Sequence, residues 1–270
     1  MNPNKDLWEK GDFTKIAAMM RGSGETLVSK IDKHLPMAAL DLGCGDGTTA
    51  VPLAEWGADV VGVDIARNLV TAGTARAAEK GLGNLRFQEG DACKLDGLDN
   101  ATFDLTLSVF GAMFAPQPFD VAQEMVRVTK PGGQIVMGNW IPNDPTSFVS
   151  QVLKISSAFV PPPPEGFVSP MTWGVETHVL ERFGKAGVEA EKISMAKDTF
   201  FFVASITTAQ FIDLFRSYYG PTMNAFAAAA KDGREQELYR QLLDSAETQN
   251  VATDGTILIG ATYLKVTVQL

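Results

Sequence analysis

The stretch Ala39-Leu40-Asp41-Leu42-Gly43-Cys44-Gly45-Asp46-Gly47 decides the fold, because it runs from a short apolar strand directly into a glycine-rich turn. Glycine lacks a Cβ and adopts positive φ at little cost, so such a turn can bring the backbone close to a ligand. A second apolar run, residues 60–63, ends in Asp64 just under twenty residues after the glycines. In a β-α-β unit this carboxylate stands at the end of the neighbouring strand, where it accepts hydrogen bonds from both ribose hydroxyls. The sequence therefore predicts a nucleoside site.

The spacing of the glycines favours one kind of nucleoside over another. A dinucleotide fingerprint reads G-x-G-x-x-G and offers the N–H groups of a helix to a pyrophosphate. This loop reads G-x-G-x-G, with Asp41 at the strand end and Asp46 inside the turn. Two carboxylates repel a pyrophosphate and attract a cation. The loop therefore favours a cationic nucleoside over NAD.

The loop D-L-G-C-G-D-G resembles motif I of the class I methyltransferases, which bind S-adenosylmethionine, a ligand with a sulfonium and an ammonium group. Three later stretches resemble further motifs of that family, in the family's order. Residues 60–66 resemble its ribose-binding strand, residues 89–92 its adenine-binding turn, and residues 130–133 the turn into its fifth strand. The resemblance covers residues 38–140 and is weak elsewhere. It implies S-adenosylmethionine as cofactor and S-adenosylhomocysteine as product.

The resemblance also implies which residues hold the methionine and ribose parts of the cofactor. Asp41 and the backbone at Gly43 and Gly45 would face the methionine moiety, and Asp64 would hold the ribose. Arg21 lies ahead of the first strand, where related enzymes fold an N-terminal segment over the cofactor. Its guanidinium is a candidate bidentate partner for the cofactor carboxylate. The alternative for Arg21 is an ordinary surface position.

The adenine and the transferred methyl group have their own implied contacts. Ile65 would pack on the adenine, Asp91 would bond its amino group, and the N–H of Ala92 would meet a ring nitrogen. Ser108 and the residues after it would line the methyl channel. His178 is a candidate general base, because imidazole commonly moves protons near neutral pH; a structural role is the alternative. In-line methyl transfer needs alignment and a dry site, and we expect no metal.

Composition argues against several other classes of protein. The 270 residues are 45% hydrophobic and 20% charged, which is typical of a globular chain with a sizeable core. The net charge of −9 argues against a nucleic-acid partner, because phosphate binding needs clustered lysine and arginine. We see no signal core or membrane-length apolar run, and expect a cytoplasmic protein without a membrane partner. Cys44 and Cys93 should stay reduced, and two cysteines and two distant histidines do not predict zinc.

Alternating strand and helix patterns predict an α/β protein with a Rossmann-like, doubly wound, mostly parallel seven-stranded sheet, N-terminal helices and an α-helical cap. Strands are predicted at residues 38–42, 60–64, 85–89, 103–108, 134–140, 193–203 and 256–268, and the family resemblance makes the last one antiparallel. Later helices are predicted at residues 119–129, 147–158, 175–186, 208–218 and 235–246. The N-terminal helical pattern should break at Gly22 and Gly24.

The sequence predicts three parts of the chain. Residues 1–36 are an N-terminal helical lid, residues 37–140 the S-adenosylmethionine-binding core, and residues 141–270 the cap insertions together with the last core strands. The segments after Trp140 are rich in aromatic residues and punctuated by proline. We therefore expect a small apolar or aromatic acceptor beneath that cap. The acceptor atom and the oligomeric state stay open.

Three functions compete at this point. The first is a small-molecule methyltransferase that resembles the UbiE-type C- and O-methyltransferases. The second is an NAD-dependent oxidoreductase, which the glycine spacing, the paired acids and the lack of a Tyr-x-x-x-Lys set disfavour. The third is a non-catalytic nucleoside-binding protein on the same scaffold. The sequence does not reject it, because methyl transfer leaves no obligatory catalytic signature.

Overall fold

Seven strands form one sheet in the computed structural model, which describes residues 5–32 and 34–270. The strands are β1 Ala38–Leu42, β2 Asp59–Asp64, β3 Leu85–Glu89, β4 Phe103–Val109, β5 Thr129–Trp140, β6 Ile193–Ala204 and β7 Ile257–Gln269. Their order is β3-β2-β1-β4-β5-β7-β6, with β1 to β5 parallel and β7 antiparallel to both of its neighbours. The predicted mostly parallel, Rossmann-like sheet and its antiparallel last strand are confirmed.

Three of the described helices precede β1, the others lie between strands along the chain, and together they cover both faces of the sheet. They are α1 Lys5–Glu9, α2 Thr14–Ala17, α3 Arg21–Ser29, α4 Ala50–Trp56, α5 Arg67–Glu79, α6 Pro118–Val128, α7 Phe148–Ser157, α8 Glu176–Lys185, α9 Thr208–Tyr218, α10 Gly220–Lys231 and α11 Glu235–Gln249. In α6, Val121, Met125 and Val128 repeat at helical spacing and are all buried, so one apolar face packs on the sheet. None of the helices in the described ranges has the length and apolar character of a membrane span.

The position of β1 in the sheet places the candidate site. It pairs with β2 on one side and β4 on the other, so Asp41 stands opposite both Gly62 and Leu107. The connection after β3 crosses back over β1 to reach β4. In open parallel sheets, ligands bind outside the carboxyl ends of the strands where the strand order reverses in this way. The glycine-rich turn that follows β1 lies at that point.

Two local predictions differ from the structure. The helix break at Gly22 and Gly24 is wrong, because α3 begins at Arg21 and includes both glycines. A Cβ on Gly24 would lie 2.5 Å from the carbonyl oxygen of Thr48, so this glycine serves close packing inside a helix. Helix α10 was not predicted. Its proline at the first turn and its alanine run both favour helix, although Gly220 and Pro221 resemble a turn in sequence.

The chain after Trp140 builds an aromatic cluster at the β6 and β7 end of the sheet, within the one hydrophobic core. Phe148 of α7, Phe202 of β6, and Phe211 and Phe215 of α9 have ring centroids 5.0 to 6.1 Å apart. All four rings are at most 1% exposed. Much of the aromatic content that suggested a ligand pocket in this region therefore stabilises the packing of the helices on the sheet.

Candidate functional site

A cavity of about 940 Å³, counted with its open mouth, lies at the carboxyl ends of β1, β2 and β4. One side consists of the glycine loop, residues 43–49, and the end of β2; we call it the glycine-loop wall. The aromatic wall is defined by Trp8, Phe13, Phe110, Phe114 and Phe200. The cavity thus joins polar backbone on one side to aromatic rings on the other.

Two glycines of the loop have different structural roles. Gly43 has a φ of +69°, and a Cβ built on it would lie 2.5 Å from Cα of Gly111. It therefore allows the loop to touch the backbone that follows β4. Gly45 has a φ of +55°, and nothing lies within 4 Å of its would-be Cβ. Because Gly45 also lines the cavity, that open space is available to a ligand.

Asp64 connects the end of β2 to the glycine loop. Its Oδ2 accepts the backbone N–H of Gly45 at 2.8 Å, and its Oδ1 accepts that of Ala66 at 2.9 Å. The residue is 8% exposed and lines the cavity. Burial raises the pKa of this carboxyl, and the backbone hydrogen bonds act in the opposite direction. Each carboxylate oxygen can accept a further hydrogen bond, so Asp64 is equipped to hold two hydroxyl groups.

Asp41 lies beneath the loop and is 1% exposed. The hydroxyl of Thr49 donates to Oδ2 of Asp41 at 2.6 Å, while Oδ1 has no hydrogen-bond partner among the described residues. Burial raises the pKa of Asp41 to about 7, and the nearby Asp64 adds to the shift, whereas the Thr49 hydrogen bond opposes it. A buried acceptor without a partner is costly, so Oδ1 is a natural contact for a donor or cation.

This raised pKa predicts how stability depends on pH in the protein without ligand. The folded state holds a proton on Asp41 that the unfolded chain has already released, so stability falls as pH rises from about 4 to about 7. Asp41→Asn cannot ionise and can still accept from Thr49. We expect wild type to lose more thermal stability than this variant between about pH 5 and about pH 7. Equal slopes of melting temperature against pH would contradict the assignment.

The charge of Asp46 is offset inside the protein. Arg21 Nη2 donates to Asp46 Oδ2 at 2.9 Å, and Arg76 Nη1 lies 3.4 Å from Oδ1. Asp46 is 1% exposed, while Arg21 is 39% exposed and keeps a buried Nε without a partner. The carboxylate of Asp46 is therefore already paired within the protein, and the attraction of Asp41 for a cation stays a prediction.

The residues predicted to hold adenine lie at the ends of β2 and β3. Ile65 and Ala92 both line the cavity. Asp91 is not part of the cavity wall, and its Oδ1 accepts the N–H of Cys93 at 2.9 Å, which shapes the turn after β3. Their roles toward a ligand remain predictions.

Ser108 is buried behind the residues that line the cavity and is not one of them. Its hydroxyl donates to the carbonyl oxygen of Leu42 at 2.6 Å and accepts the N–H of Ala112 at 2.9 Å. It is 1% exposed. The side chain therefore fixes the end of β4 against β1, and the residues that follow it, rather than Ser108 itself, line the cavity.

His178 lies away from this cavity. It is on α8, its side chain is 46% exposed, and its Nδ1 is 3.9 Å from a carboxylate oxygen of Glu181. It is not among the residues of the cavity wall. Gly43, Gly45 and Asp64 line the cavity together, whereas Asp41 lies beneath the loop and Arg21, like His178, is not part of the cavity wall.

Within the aromatic wall, Phe110 packs against aromatic residues that are distant in sequence, and the sequence did not predict these contacts. Phe110 has a φ of +58°, and its ring stacks on Trp140 with centroids 3.5 Å apart. Phe200 and Tyr263 meet the same ring edge-on at 5.1 and 5.2 Å. A bulky residue at positive φ is strained, and such strain is typical of functional sites. The sequence placed Phe110 after a strand but carried no signal for its backbone conformation.

The roof of the cavity comes from the N-terminal helices. Trp8, Phe13, Ala17 and Met20 all line it, and Trp8 packs edge-on against Phe114 with centroids 4.9 Å apart. Of the described residues after Trp140, Phe200 alone reaches the cavity. The C-terminal segments were expected to enclose the cavity, and that expectation is wrong. The N-terminal helices enclose it instead.

Comparisons with known proteins agree with this geometry. A family model described as a methyltransferase domain matches residues 40–137. An uncharacterized protein of Mycobacterium tuberculosis is 32% identical over 246 residues, which cover 90% of this chain and 86% of that protein. The demethylmenaquinone methyltransferase of Paenarthrobacter aurescens is 30% identical over 172 residues, 60% of this chain and 66% of that protein. In fold, the chain is similar to a Haemonchus contortus phosphoethanolamine N-methyltransferase, solved with phosphomonomethylethanolamine and S-adenosylhomocysteine. That likeness has a TM-score of 0.60 at 15% identity and covers 100% of this chain and 60% of the other.

Proposed function

Since the chain belongs to the class I S-adenosylmethionine-dependent methyltransferases, we propose that it methylates a small, largely apolar or aromatic organic acceptor at oxygen, carbon or nitrogen. One observation carries the proposal: a single cavity has the open backbone of Gly45 and the carboxylate of Asp64 on one side and the aromatic wall on the other. A nucleoside fits the first side, and an apolar acceptor fits the second.

The glycine-loop wall suits the polar groups of S-adenosylmethionine. The open space at Gly45 admits the cofactor against the backbone, and the two oxygens of Asp64 would accept the ribose hydroxyls. The unpartnered Oδ1 of Asp41 would accept from the ammonium group. Arg21, whose Nε has no hydrogen-bond partner among the described residues, would face the carboxylate.

The adenine would lie between the ends of β2 and β3. Ile65 offers an apolar side chain and Ala92 a backbone N–H at the cavity wall. Asp91 would reach the amino group from the adjacent turn, whose shape its hydrogen bond to Cys93 maintains.

When bound, S-adenosylmethionine supplies an already activated methyl group, so we assign the chain the tasks of alignment and water exclusion. Phe110 is held between Trp140, Phe200 and Tyr263, and gives the acceptor a rigid surface. Holding two reactants in line can contribute about 7–11 kcal/mol to lowering a barrier. This assignment requires no metal and no covalent nucleophile.

We further propose that residues 1–36 act as a lid, that residues 37–140 form the cofactor core, and that residues 141–270 add the cap and last strands. Lys5 Nζ donates to Glu89 at 3.0 Å, and Glu9 accepts the N–H of Arg67 at 3.0 Å, so α1 is tied across the cavity to the β3 and α5 side. Trp8 points from the same helix into the cavity. Residues 1–4 and 33 of this lid lie outside the described residues.

The remaining parts of the proposal concern location and partners. A net charge of −9 supports a small-molecule acceptor rather than a nucleic acid. We propose a cytoplasmic protein that acts without a membrane partner; its oligomeric state stays open.

Calorimetry with three ligands tests the cofactor. We expect S-adenosylmethionine and S-adenosylhomocysteine to bind and NAD to give no measurable heat, because the glycine spacing and Asp41 disfavour a pyrophosphate. NAD affinity equal to that of S-adenosylhomocysteine would favour the oxidoreductase reading. A screen for methyl transfer to acceptors of different chemistry would separate an enzyme from a non-catalytic binding protein.

His178→Ala tests whether His178, the candidate general base, takes part in methyl transfer. We expect methyl transfer to persist, because His178 lies on α8 outside the cavity wall. A general base contributes about 100-fold or more to a rate, so its loss would be unmistakable. A decrease of that size with cofactor affinity and melting temperature unchanged would contradict the alignment mechanism.

A further inference from the structure

The apolar face of α8 carries a buried arginine. Val179, Arg182 and Phe183 are the buried residues of this helix, and Arg182 is 3% exposed. In the described part of the chain, Arg182 is the one lysine or arginine that is buried to this extent. A charge at a position that helical spacing assigns to the core is costly unless it is paired.

Arg182 has a neutral partner and no charged one. Its Nη2 donates to the hydroxyl oxygen of Thr172 at 2.6 Å, and that hydroxyl donates in turn to the carbonyl oxygen of Ser169. Its Nη1 is buried and has no hydrogen-bond partner among the described residues. Burial lowers the pKa of Arg182 to about 10, and Glu181 opposes this, so the guanidinium is charged at neutral pH.

Other partly buried arginines of the chain have a carboxylate beside them. Arg76 Nη1 lies 3.4 Å from Oδ1 of Asp46, and Arg127 Nε lies 2.6 Å from Oε1 of Glu124. Glu181, the acid next to Arg182 in sequence, is half exposed and pairs with Lys185 instead. The most buried arginine of the described residues is thus left without a counter-charge.

A second donor without a partner belongs to the same group of side chains. The guanidinium carbon of Arg182 lies over the indole of Trp173, 4.5 Å from the ring centroid. Trp173 is 1% exposed, and its Nε1 has no hydrogen-bond partner among the described residues. Cation–π attraction offsets part of the cost of the charge, but it satisfies neither N–H group. Two buried donors and one positive charge in a single stacked pair together indicate an anion.

The surroundings of this pair favour a compact anion. Trp173 lies in the single-turn segment Pro170–Gly174, which packs on α8 and on β5. A Cβ on Gly174 would lie 2.1 Å from the carbonyl oxygen of Trp140, at the end of β5. The ring of Trp173 also meets Phe183 edge-on with centroids 6.1 Å apart. Packing this close accommodates one atom at lower cost than it accommodates an oxyanion.

We propose that the Arg182–Trp173 pair binds a halide ion, which accepts hydrogen bonds from Nη1 of Arg182 and Nε1 of Trp173. The ion neutralises the guanidinium and joins α8 to the segment that packs on the end of β5. None of Thr172, Trp173 and Arg182 is part of the main cavity wall, so the ion site is separate from the proposed cofactor and acceptor sites. The proposal goes beyond the proposed function and does not depend on it.

Melting temperature at constant ionic strength tests the site, with bromide replacing the bulky anion gluconate in steps. For wild type we expect a saturable rise of about 3 °C or more at a tenfold excess over the dissociation constant. Arg182→Met should show no such rise. In gluconate alone this variant should melt at or above wild type, because it removes a buried charge that has no partner. A merely structural arginine would instead make the variant less stable than wild type by the same amount in both anions.

Arg216→Met is the matched control. Arg216 also lies over an aromatic ring, with its guanidinium carbon 4.9 Å from the centroid of Phe226, but it pairs with Glu235 at 3.1 Å. This variant should keep the bromide response of wild type. Trp173→Phe keeps an aromatic ring and removes the N–H, so it should weaken bromide binding about tenfold while Arg182 still binds the ion.

Anomalous scattering locates the ion directly. In crystals grown in bromide we expect a peak in contact with both Nη1 of Arg182 and Nε1 of Trp173. The same bromide response in Arg182→Met as in wild type, or no such peak at saturating bromide, would overturn the proposal. A larger rise with phosphate than with bromide would also overturn it, because the site would then be one for oxyanions. If Arg182→Met does not fold, the response of Trp173→Phe and the anomalous peak decide.

Discussion

Asp64→Ala is expected to weaken the binding of S-adenosylhomocysteine by about 2–4 kcal/mol, because two charge-assisted hydrogen bonds to the ribose are lost. The same carboxylate also accepts the N–H groups of Gly45 and Ala66, so the loop proposed to carry the cofactor loses its tie to β2. We nevertheless expect the variant to fold, since burial already disfavours the charged carboxyl. The measurement is the dissociation constant by calorimetry, with melting temperature recorded in parallel.

Asp64→Asn is the matched control for this prediction. The amide keeps the shape and one acceptor oxygen, so its loss of affinity should lie between those of wild type and the alanine variant. An alanine variant that binds S-adenosylhomocysteine as wild type does would remove Asp64 from the site. An asparagine variant weaker than alanine would show that the added N–H₂ group clashes with the backbone donors.

The second large effect separates two glycines that lie two positions apart in the same loop. Gly43→Ala should lower the free energy of unfolding by about 3 kcal/mol or more, the sum of left-handed strain and a clash with a neighbouring backbone. A Cβ there would lie 2.5 Å from Cα of Gly111 and 2.7 Å from its carbonyl carbon. Neither atom can move away without shifting the end of β4.

Gly45→Ala provides the contrast. Its φ of +55° is close to the +69° of Gly43, so the backbone strain should be similar, about 1–2 kcal/mol, but nothing lies within 4 Å of the new methyl group. We expect near-normal folding and a loss of cofactor affinity, because the methyl group occupies the proposed ligand space. Denaturant unfolding and calorimetry on both variants make the comparison. Equal destabilisation would contradict the packing at Gly43, and unchanged affinity in Gly45→Ala would contradict the ligand position.

The sequence predicted the features that depend on local patterns. The strand β3 has the predicted bounds, residues 85–89, and β1 and α9 also match. Alternation of buried strands and amphipathic helices determines a parallel sheet, and Asp64 ends β2 at the spacing from the glycine loop that β-α-β geometry requires. These relations hold within about twenty residues of chain, so they can be read without knowledge of distant contacts.

The sequence was less informative wherever a partner came from far along the chain. Asp46 has the appearance of a free loop carboxylate, yet Arg21 and Arg76 pair with it from 25 and 30 residues away. Ser108 has the appearance of a channel residue, yet its hydroxyl bonds a carbonyl 66 residues earlier. Such hydrogen bonds depend on how strands are ordered in the sheet, which no local pattern encodes.

The sequence by itself determined the position of the glycine-rich loop, the order of strands and helices along the chain, and the family, because each depends on glycine, apolar periodicity or short spacing. Only the tertiary structure decided which side chains line the cavity. It brought Trp8 and Phe13 from the N-terminus over the cavity, turned most aromatic residues after Trp140 into core, and left His178 on the surface. Aromatic side chains pack equally well in a core or around a ligand, so only the assembled fold distinguishes the two roles.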